Sequence, residues 1–558
     1  MLPGRPNPRG HRTEYKYMSM SGRGRPDGRS AGLGAVAGVL AAGTALGVGQ
    51  FVAGLTGASG SPVVVVGELQ IDFTPPWLKN FAITNFGADD KLVLVSGILV
   101  VLGVFAAVIG AEAATRRMAY GVAGLAVFAV VGLTAAATRP TATVASLLPT
   151  LAATASALAV LLVLIPLVKP PAIAAPPAVS YDPVTAPEEP AEVPALAADP
   201  ELEGTRRRSF LAAGAATAGI AAGAGLAGRL LTERSSVASA QKSVRIPKPA
   251  ITTQALPAGV DLDIPGLTPF VTPNGKFYRV DTALVLPQVD PSSWQLRIHG
   301  MVNREITLTF EELLKRPLIE DYITLCCVSN FVGGPYIGNA KWLGASLGAL
   351  LREAGIKAGA DQLMCTSADG FTSGTPVQTV MDGRDALLAV AMNGQPLPVA
   401  HGFPARMVVP GLYGYVSATK WVTDINVTTF AGNNTFWAQR GWSQQAPIKT
   451  ECRIDVPTGL NDVRGGAVAV AGVAWAQHKG IEAVHVRVDQ GPWNEARLAT
   501  VPGLDTWRQW VWEWDATPGG HVLQARATDK TGYTQTSAQA QPEPNGASGY
   551  PTVSVTVG

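Results

Sequence analysis

Four apolar stretches occupy the first 170 residues of this chain, at roughly 33–56, 91–112, 119–137 and 143–168. Each approaches the ~20 residues that a helix needs to cross the hydrocarbon core of a bilayer. In lipid, every backbone N–H and C=O must be satisfied within the segment, so a single spanning stretch has to be helical. Charged residues make up 15% of the chain, and the shortfall against the roughly 25% of an ordinary soluble domain lies before residue 170. The flanks predict a topology. Arg5, Arg9, Arg12, Lys16, Arg23, Arg25 and Arg29 precede the first stretch, and Arg116 and Arg117 separate the second from the third. Basic flanks stay in the cytoplasm. A basic cytoplasmic tail at 1–30 and four transmembrane helices at 31–169 follow, with the loop 57–90 outside and the fourth helix returning near Lys169. Of the six histidines none falls in the spans, so paired axial ligands for an intramembrane haem are missing. Membrane lipid is thus an expected partner, and anchoring the expected role of this half.

Residues 170–205 are rich in Pro, Ala and Glu and lack apolar periodicity, which predicts an extended linker. Then Arg207-Arg208-Ser209-Phe210-Leu211 opens an Ala/Gly-rich run. Residues 206–232 resemble a twin-arginine export signal that doubles as a fifth transmembrane helix. An ordinary fifth helix with basic residues on its cytoplasmic side is the plainer reading. Under either one, the rest of the chain lies on the extracytoplasmic side.

From about 245 the texture becomes globular. "SSWQLRIHGMV" alternates Trp294, Leu296 and Ile298 with polar neighbours, the pattern of a half-buried strand. "FEELLKRP" and "SLGALLREAGI" carry apolar residues at helical spacing, and Gly355 stands where a C-cap belongs. An α+β domain is expected over 245–432. After 450, Val484, Val486 and Val488 share one strand face, Trp510, Trp512 and Trp514 another, and "RATDKTGY" supplies a turn. Short alternating strands of this kind predict an all-β, immunoglobulin-like sandwich over 450–558. The near balance of charge, a formal +2, together with the absence of long basic runs beyond the N-terminal tail, speaks against nucleic acid as a partner.

The chain has four cysteines, and two of them, Cys326 and Cys327, are adjacent in "YITLCCVSNFVGG". Four are too few for a disulfide scaffold. In an extended segment neighbouring side chains point to opposite faces, so one thiol can pack inward while the other faces a cavity. A thiolate is a soft metal ligand. The zinc spacings CxxC and HxxxH and the haem-attachment pattern CxxCH are all absent. A lone thiolate suffices only where a cofactor brings the remaining ligands.

"TLCCVSNFVGGPYIGNAKW", followed by "ALLAVAMNGQPLPVAHGFPARMVVPGLYGYVSATKWV", resembles the sulfite oxidase family of molybdenum enzymes. "MNGQPLP", "HGFPAR" and "VVPG" occur in the family's order and spacing, "FYRVDTALVLPQVDPSSWQLRIHG" resembles the opening of its domain, and the β-region resembles its C-terminal dimerisation domain. The likeness covers roughly 270–558, and membrane-anchored actinobacterial-type members look similar. It implies a multi-domain chain: an α-helical membrane region, a sulfite-oxidase-like α+β molybdopterin domain, and an immunoglobulin-like sandwich.

The resemblance further implies one molybdopterin whose dithiolene holds molybdenum, with Cys327 as the single protein ligand and Cys326 as its buried neighbour. It places Tyr278 and Arg279 in the first pterin segment, Asn330 three residues beyond the metal cysteine, His401 and Arg406 in "HGFPAR", Ser417 and Lys420 in "SATK", and Ser367 in "CTSADG". A pterin phosphate needs such fixed cations, hydroxyls and donors. Trp342 in "GNAKW" matches a pocket tryptophan, and Trp342 and Arg279 join Cys327 as catalytic candidates.

Two positions depart from the sulfite-oxidising pattern: Val390 stands in place of a tyrosine that faces the metal, and Val332 in place of an anion-binding arginine. Burying a doubly charged oxyanion without such cations is costly, so a neutral or larger small-molecule substrate is expected rather than sulfite. The reaction the family implies is two-electron oxygen-atom transfer, with the metal passing between Mo(VI) and Mo(IV). No haem or iron–sulfur motif is present, so a separate electron carrier is expected, and the β-region makes a homodimer the expected assembly. The rival is a catalytically inactive cell-surface binding protein that keeps the fold.

Overall fold

A computed structural model describes residues 28–56, 60–75, 78, 81, 90–139, 142–168, 200–234, 237–458 and 463–558. The expected basic tail and linker fall largely outside these residues. The N-terminal region contains α1 (Gly28–Thr56), α2 (Pro62–Phe73), α3 (Asp90–Thr115), α4 (Met118–Ala137), α5 (Leu148–Val168) and α6 (Pro200–Arg234). Five of these, α1 and α3 to α6, are long and apolar enough to cross a membrane, α5 together with the 3₁₀ turn before it. Val100, Val104, Phe105, Val127 and Val130 point outward from them, an arrangement that water penalises and lipid does not.

Two expectations need correction here. The loop 57–90 contains the apolar helix α2, opened by Pro62 in its first turn, where the missing N–H costs nothing. The linker also ends sooner, because Pro200 starts α6 and places Arg207 and Arg208 inside that helix.

The described residues form two compact units. One holds residues up to 48, 99–130 and 152–224. Within it, small residues bring backbones together: a Cβ at Gly38 would collide with Ala106 O on α3, and one at Gly110 with Gly34 O on α1. Helices in lipid associate through such close packing. Gly38→Leu is therefore expected to destabilise the detergent-solubilised chain by at least about 1–3 kcal/mol, read as a lowered melting temperature. An unchanged melting temperature would contradict this packing.

The second unit comprises residues 49–98, 131–151 and 225–558. Its first ten strands are β1 (Gln295–Gly300), β2 (Ile306–Thr309), β3 (Leu318–Cys326), β4 (Ile337–Ser346), β5 (Gln362–Ser367), β6 (Thr372–Pro376), β7 (Leu387–Met392), β8 (Gln395–Pro396), β9 (Arg406–Val408) and β10 (Val422–Thr428). One sheet runs β2-β1-β10-β5-β6, the other β3-β4-β7-β8 with β9 paired to β7. The alternation read in β1 is real: Trp294, Leu296 and Ile298 are buried. Gly355 caps the helix Leu347–Ala354 in the left-handed region at φ 70°, which glycine adopts without a Cβ penalty.

Eight further strands follow: β11 (Glu451–Val456), β12 (Gly466–Trp475), β13 (Ile481–Val488), β14 (Asn494–Glu495), β15 (Arg497–Leu498), β16 (Arg508–Ala516), β17 (Gly519–Asp529) and β18 (Thr552–Val557). They form two four-stranded sheets, β11-β12-β16-β15 and β14-β13-β17-β18. Trp510 and Trp514 of the expected tryptophan stripe are buried in their core, while Trp512 is half-buried at its edge. This β-rich region also continues into the preceding core. Trp507 is fully buried and donates from Nε1 to Phe270 O at 2.8 Å and from its backbone to Thr324 Oγ1 at 2.8 Å.

Candidate cofactor site

The paired cysteines sit where β3 ends. Cys326 is the last strand residue and lies in the main core, while Cys327 begins the loop and its Sγ stands 2.9 Å from Ser329 Oγ. The loop is clasped from within: Cys327 N donates to Tyr336 O, Asn330 N donates to Cys327 O, and Asn330 Oδ1 accepts from Tyr336 N at 2.8 Å. A Cβ at Gly334 would come within 2.6 Å of that Asn330 oxygen, so glycine is needed for the loop to close. Burial raises the Cys327 thiol, opposed by Ser329 and by the charge of Lys420. Metal binding would have to displace that proton.

Four of the expected cofactor residues converge around this loop. Burial, with Cys327 and Cys326 nearby, pushes the Tyr278 phenol well above its ordinary range, so it stays a proton donor. Arg406 is buried at the β9 start and donates to His401 O at 3.1 Å, Ala418 O at 3.2 Å and Met407 O at 3.3 Å. Its hydrogen-bond partners are all carbonyls, and burial lowers the guanidinium to about 10. His401 lies 5.6 Å from the Phe277 ring, and burial and Arg406 lower it to about 4. It is therefore neutral at pH 7. Its Nε2 faces Asn274 O at 3.1 Å, and a carbonyl only accepts, so Nε2 carries the proton. Gly402, at φ 107°, lets Arg406 and Lys420 approach, since a Cβ there would lie 3.0 Å from the one and 3.1 Å from the other.

Lys420 reaches Asp281 Oδ2 at 2.9 Å, Arg279 reaches the same oxygen at 2.7 Å, and Lys91 reaches Asp281 Oδ1 at 2.7 Å. Burial pushes the Asp281 carboxyl up, but Lys420, Arg279 and Lys91 outweigh it and hold the group well below the usual carboxylate range. Three cations share one carboxylate, with the Arg406 guanidinium close enough to depress Lys420 as well. A cation excess packed around one buried carboxylate favours binding an anion. The donor set thus fits a phosphate-bearing cofactor.

Burial, with Arg406 and Arg279 adding repulsion, lowers Lys420 to about 8 in spite of Asp281. Raising the pH through about 8 neutralises this cation in cofactor-free protein. Sulfate, whose charge is constant there, is expected to bind the cofactor-free protein about ten-fold more weakly at pH 9 than at pH 7 by titration calorimetry. Folding responds in the opposite sense: between about 8 and the ordinary lysine value the unfolded chain binds the extra proton, so this group's contribution to stability rises with pH.

The remaining expected residues are placed differently. Trp342 is fully buried, donates to Ile323 O at 3.0 Å and lies under the Arg406 guanidinium at 5.0 Å, so it supports that cation from behind. The Ser417 hydroxyl is committed to Leu412 O and Tyr413 O. Ser367 closes its own turn, its hydroxyl accepting from Asp369 N at 3.5 Å. Sequence reasoning missed Asp281, although it stands two residues beyond Arg279 in "YRVD", and Lys91, a lone cation at the start of an apolar run.

Residues 283–437 match the family described as the oxidoreductase molybdopterin binding domain. The sulfite oxidase of Gallus gallus is 30% identical over 296 residues, 44% of this chain and 63% of that protein. The mitochondrial sulfite oxidase of Rattus norvegicus is 29% identical over 290 residues, 44% of this chain and 52% of that protein. The chain thus spans between half and two thirds of the length of these relatives. The uncharacterized oxidoreductase YuiH of Bacillus subtilis is 32% identical over 153 residues, 27% of this chain and 74% of that protein. Among solved structures, the sulfane dehydrogenase SoxCD from Paracoccus pantotrophus covers 48% of this chain and 75% of its own at 26% identity, with a TM-score of 0.44.

Proposed function

Because the chain belongs to the sulfite oxidase family of molybdopterin-dependent oxidoreductases, we propose that it performs oxygen-atom transfer on a small molecule at a molybdenum centre ligated by Cys327. The observation that carries this is the convergence of the Cys327 thiol with Tyr278, Arg406 and Lys420. When bound, the cofactor supplies the two-electron redox chemistry and the oxygen-transfer site. The protein supplies position, charge and exclusion of water. Tyr278 would donate a hydrogen bond from its hydroxyl to the bound cofactor, Arg406 and Lys420 would balance its anionic oxygens, and His401, protonated at Nε2, would offer Nδ1 as an acceptor. The Cys327–Tyr336 loop fixes where the thiolate points. Arg279 would face the pterin from the segment it shares with Tyr278, held there by Asp281.

The substrate we propose is a neutral or larger molecule rather than sulfite. Val390 is fully buried in the core, and Val332 packs toward Gly549, where a Cβ would lie 3.7 Å from Val332 Cγ2. Neither position brings a cation or phenol to a substrate. Electrons pass to a separate carrier, and the catalytic fold lies on the extracytoplasmic side, a reading that the basic flanks of the apolar stretches support. The β-rich region is of immunoglobulin-like type and pairs two copies.

Two measurements test this. Molybdenum and pterin analysis of the purified full chain is expected to find both in equal amounts, and finding neither would overturn the proposal. External protease on intact cells is expected to remove the C-terminal half, while full protection of that half would reverse the orientation.

A further inference from the structure

We propose that Lys91, the residue that begins the apolar run of α3, is a positioning residue of the cofactor pocket and keeps its cations available to the cofactor's anionic group. The inference rests on the molybdopterin reading above. Lys91 and Asp281 are 190 residues apart in sequence, yet both belong to the second compact unit. The ammonium donates to Asp281 Oδ1 at 2.7 Å and to Ala283 O at 2.6 Å, so it is oriented by a charged and a neutral acceptor. Asp281 Oδ2 meanwhile serves both Lys420 and Arg279.

The consequence is electrostatic. A carboxylate only 4% exposed and shared by two cations would neutralise half of their charge, and their attraction for a phosphate would fall accordingly. A third cation on Oδ1, the oxygen that Arg279 reaches only at 3.4 Å, restores the excess. It also holds the carboxylate in place, which fixes Lys420 and Arg279 in turn. Lys91 would act through Asp281, which it holds at 2.7 Å, so its effect would fall on retention of the cofactor and not on the metal's coordination.

The test uses the full-length, cofactor-loaded protein in detergent, following molybdenum and pterin per protein during dialysis. Lys91→Gln keeps an N–H donor, one bond nearer the backbone, but removes the charge. It is expected to lose cofactor roughly ten-fold faster than wild type, the size of effect typical of a residue that orients ligand-holding groups. Lys91→Arg is expected to restore wild-type retention, and the cofactor still bound to Lys91→Gln to keep the wild-type Mo(V) resonance signal. Lys91→Met, which also drops the hydrogen bonds, is expected to lose cofactor at least as fast as Lys91→Gln and serves if that variant does not accumulate. A loaded wild type and equally retentive neutral variants overturn the role of Lys91 alone. A wild type with neither molybdenum nor pterin overturns the reading of the pocket and this inference with it.

Discussion

Replacing Cys327 with serine is expected to lower turnover by at least about 100-fold while leaving the fold and most of the pterin in place. Even the outer partners of metal ligands are worth roughly 10–100-fold in affinity or activity, and a direct ligand is worth no less. The fold is expected to survive because Cys327 sits outside β3, and the loop beyond it is closed by backbone bonds and by Asn330, none of which uses the thiol. Cys326→Ser makes the contrasting control. It puts a hydroxyl into the main core at a fully buried position, so its damage is expected in melting temperature, with the turnover of the folded fraction unchanged. The two neighbouring thiols thus differ in function, and each substitution has its own readout.

Arg406→Met is expected to weaken cofactor retention by roughly 100-fold, the loss of about one well-placed charged hydrogen-bond donor. Three backbone carbonyls, those of His401, Ala418 and Met407, orient this guanidinium, and Trp342 lies beneath it. The empty protein's melting temperature is expected to move far less. Loss of those hydrogen bonds destabilises the fold, but the variant also no longer buries an uncompensated charge. Cofactor content and thermal unfolding of the apoprotein, measured on the same preparation, check both statements. Equal retention by variant and wild type would remove Arg406 from the pocket.

Local pattern carried much of the fold. The alternation at Trp294, Leu296 and Ile298, the Gly355 cap and the apolar spans all follow from rules that act over a few residues. The helix α2 was not legible because its apolar run is too short for a span and its surroundings read as a loop. The boundary at Pro200 was missed because the composition of the linker runs on into the first turn of α6. For the pocket, Cys327, Arg406 and Lys420 stood out because they sit in ordered motifs. Trp342 was legible as an important position, but its place beneath Arg406 depends on β3 and β4 being paired. Asp281 and Lys91 carried no motif, since what gives them meaning is a contact between segments far apart in the chain. Charge balance in a buried cluster can be counted only once its members are brought together.

The most direct measurement of the central claim is X-ray absorption at the molybdenum edge, made on the wild type and on Cys327→Ser. The account predicts a molybdenum-loaded wild type and one fewer sulfur neighbour around the metal in the variant. An identical sulfur shell in the two proteins would contradict it.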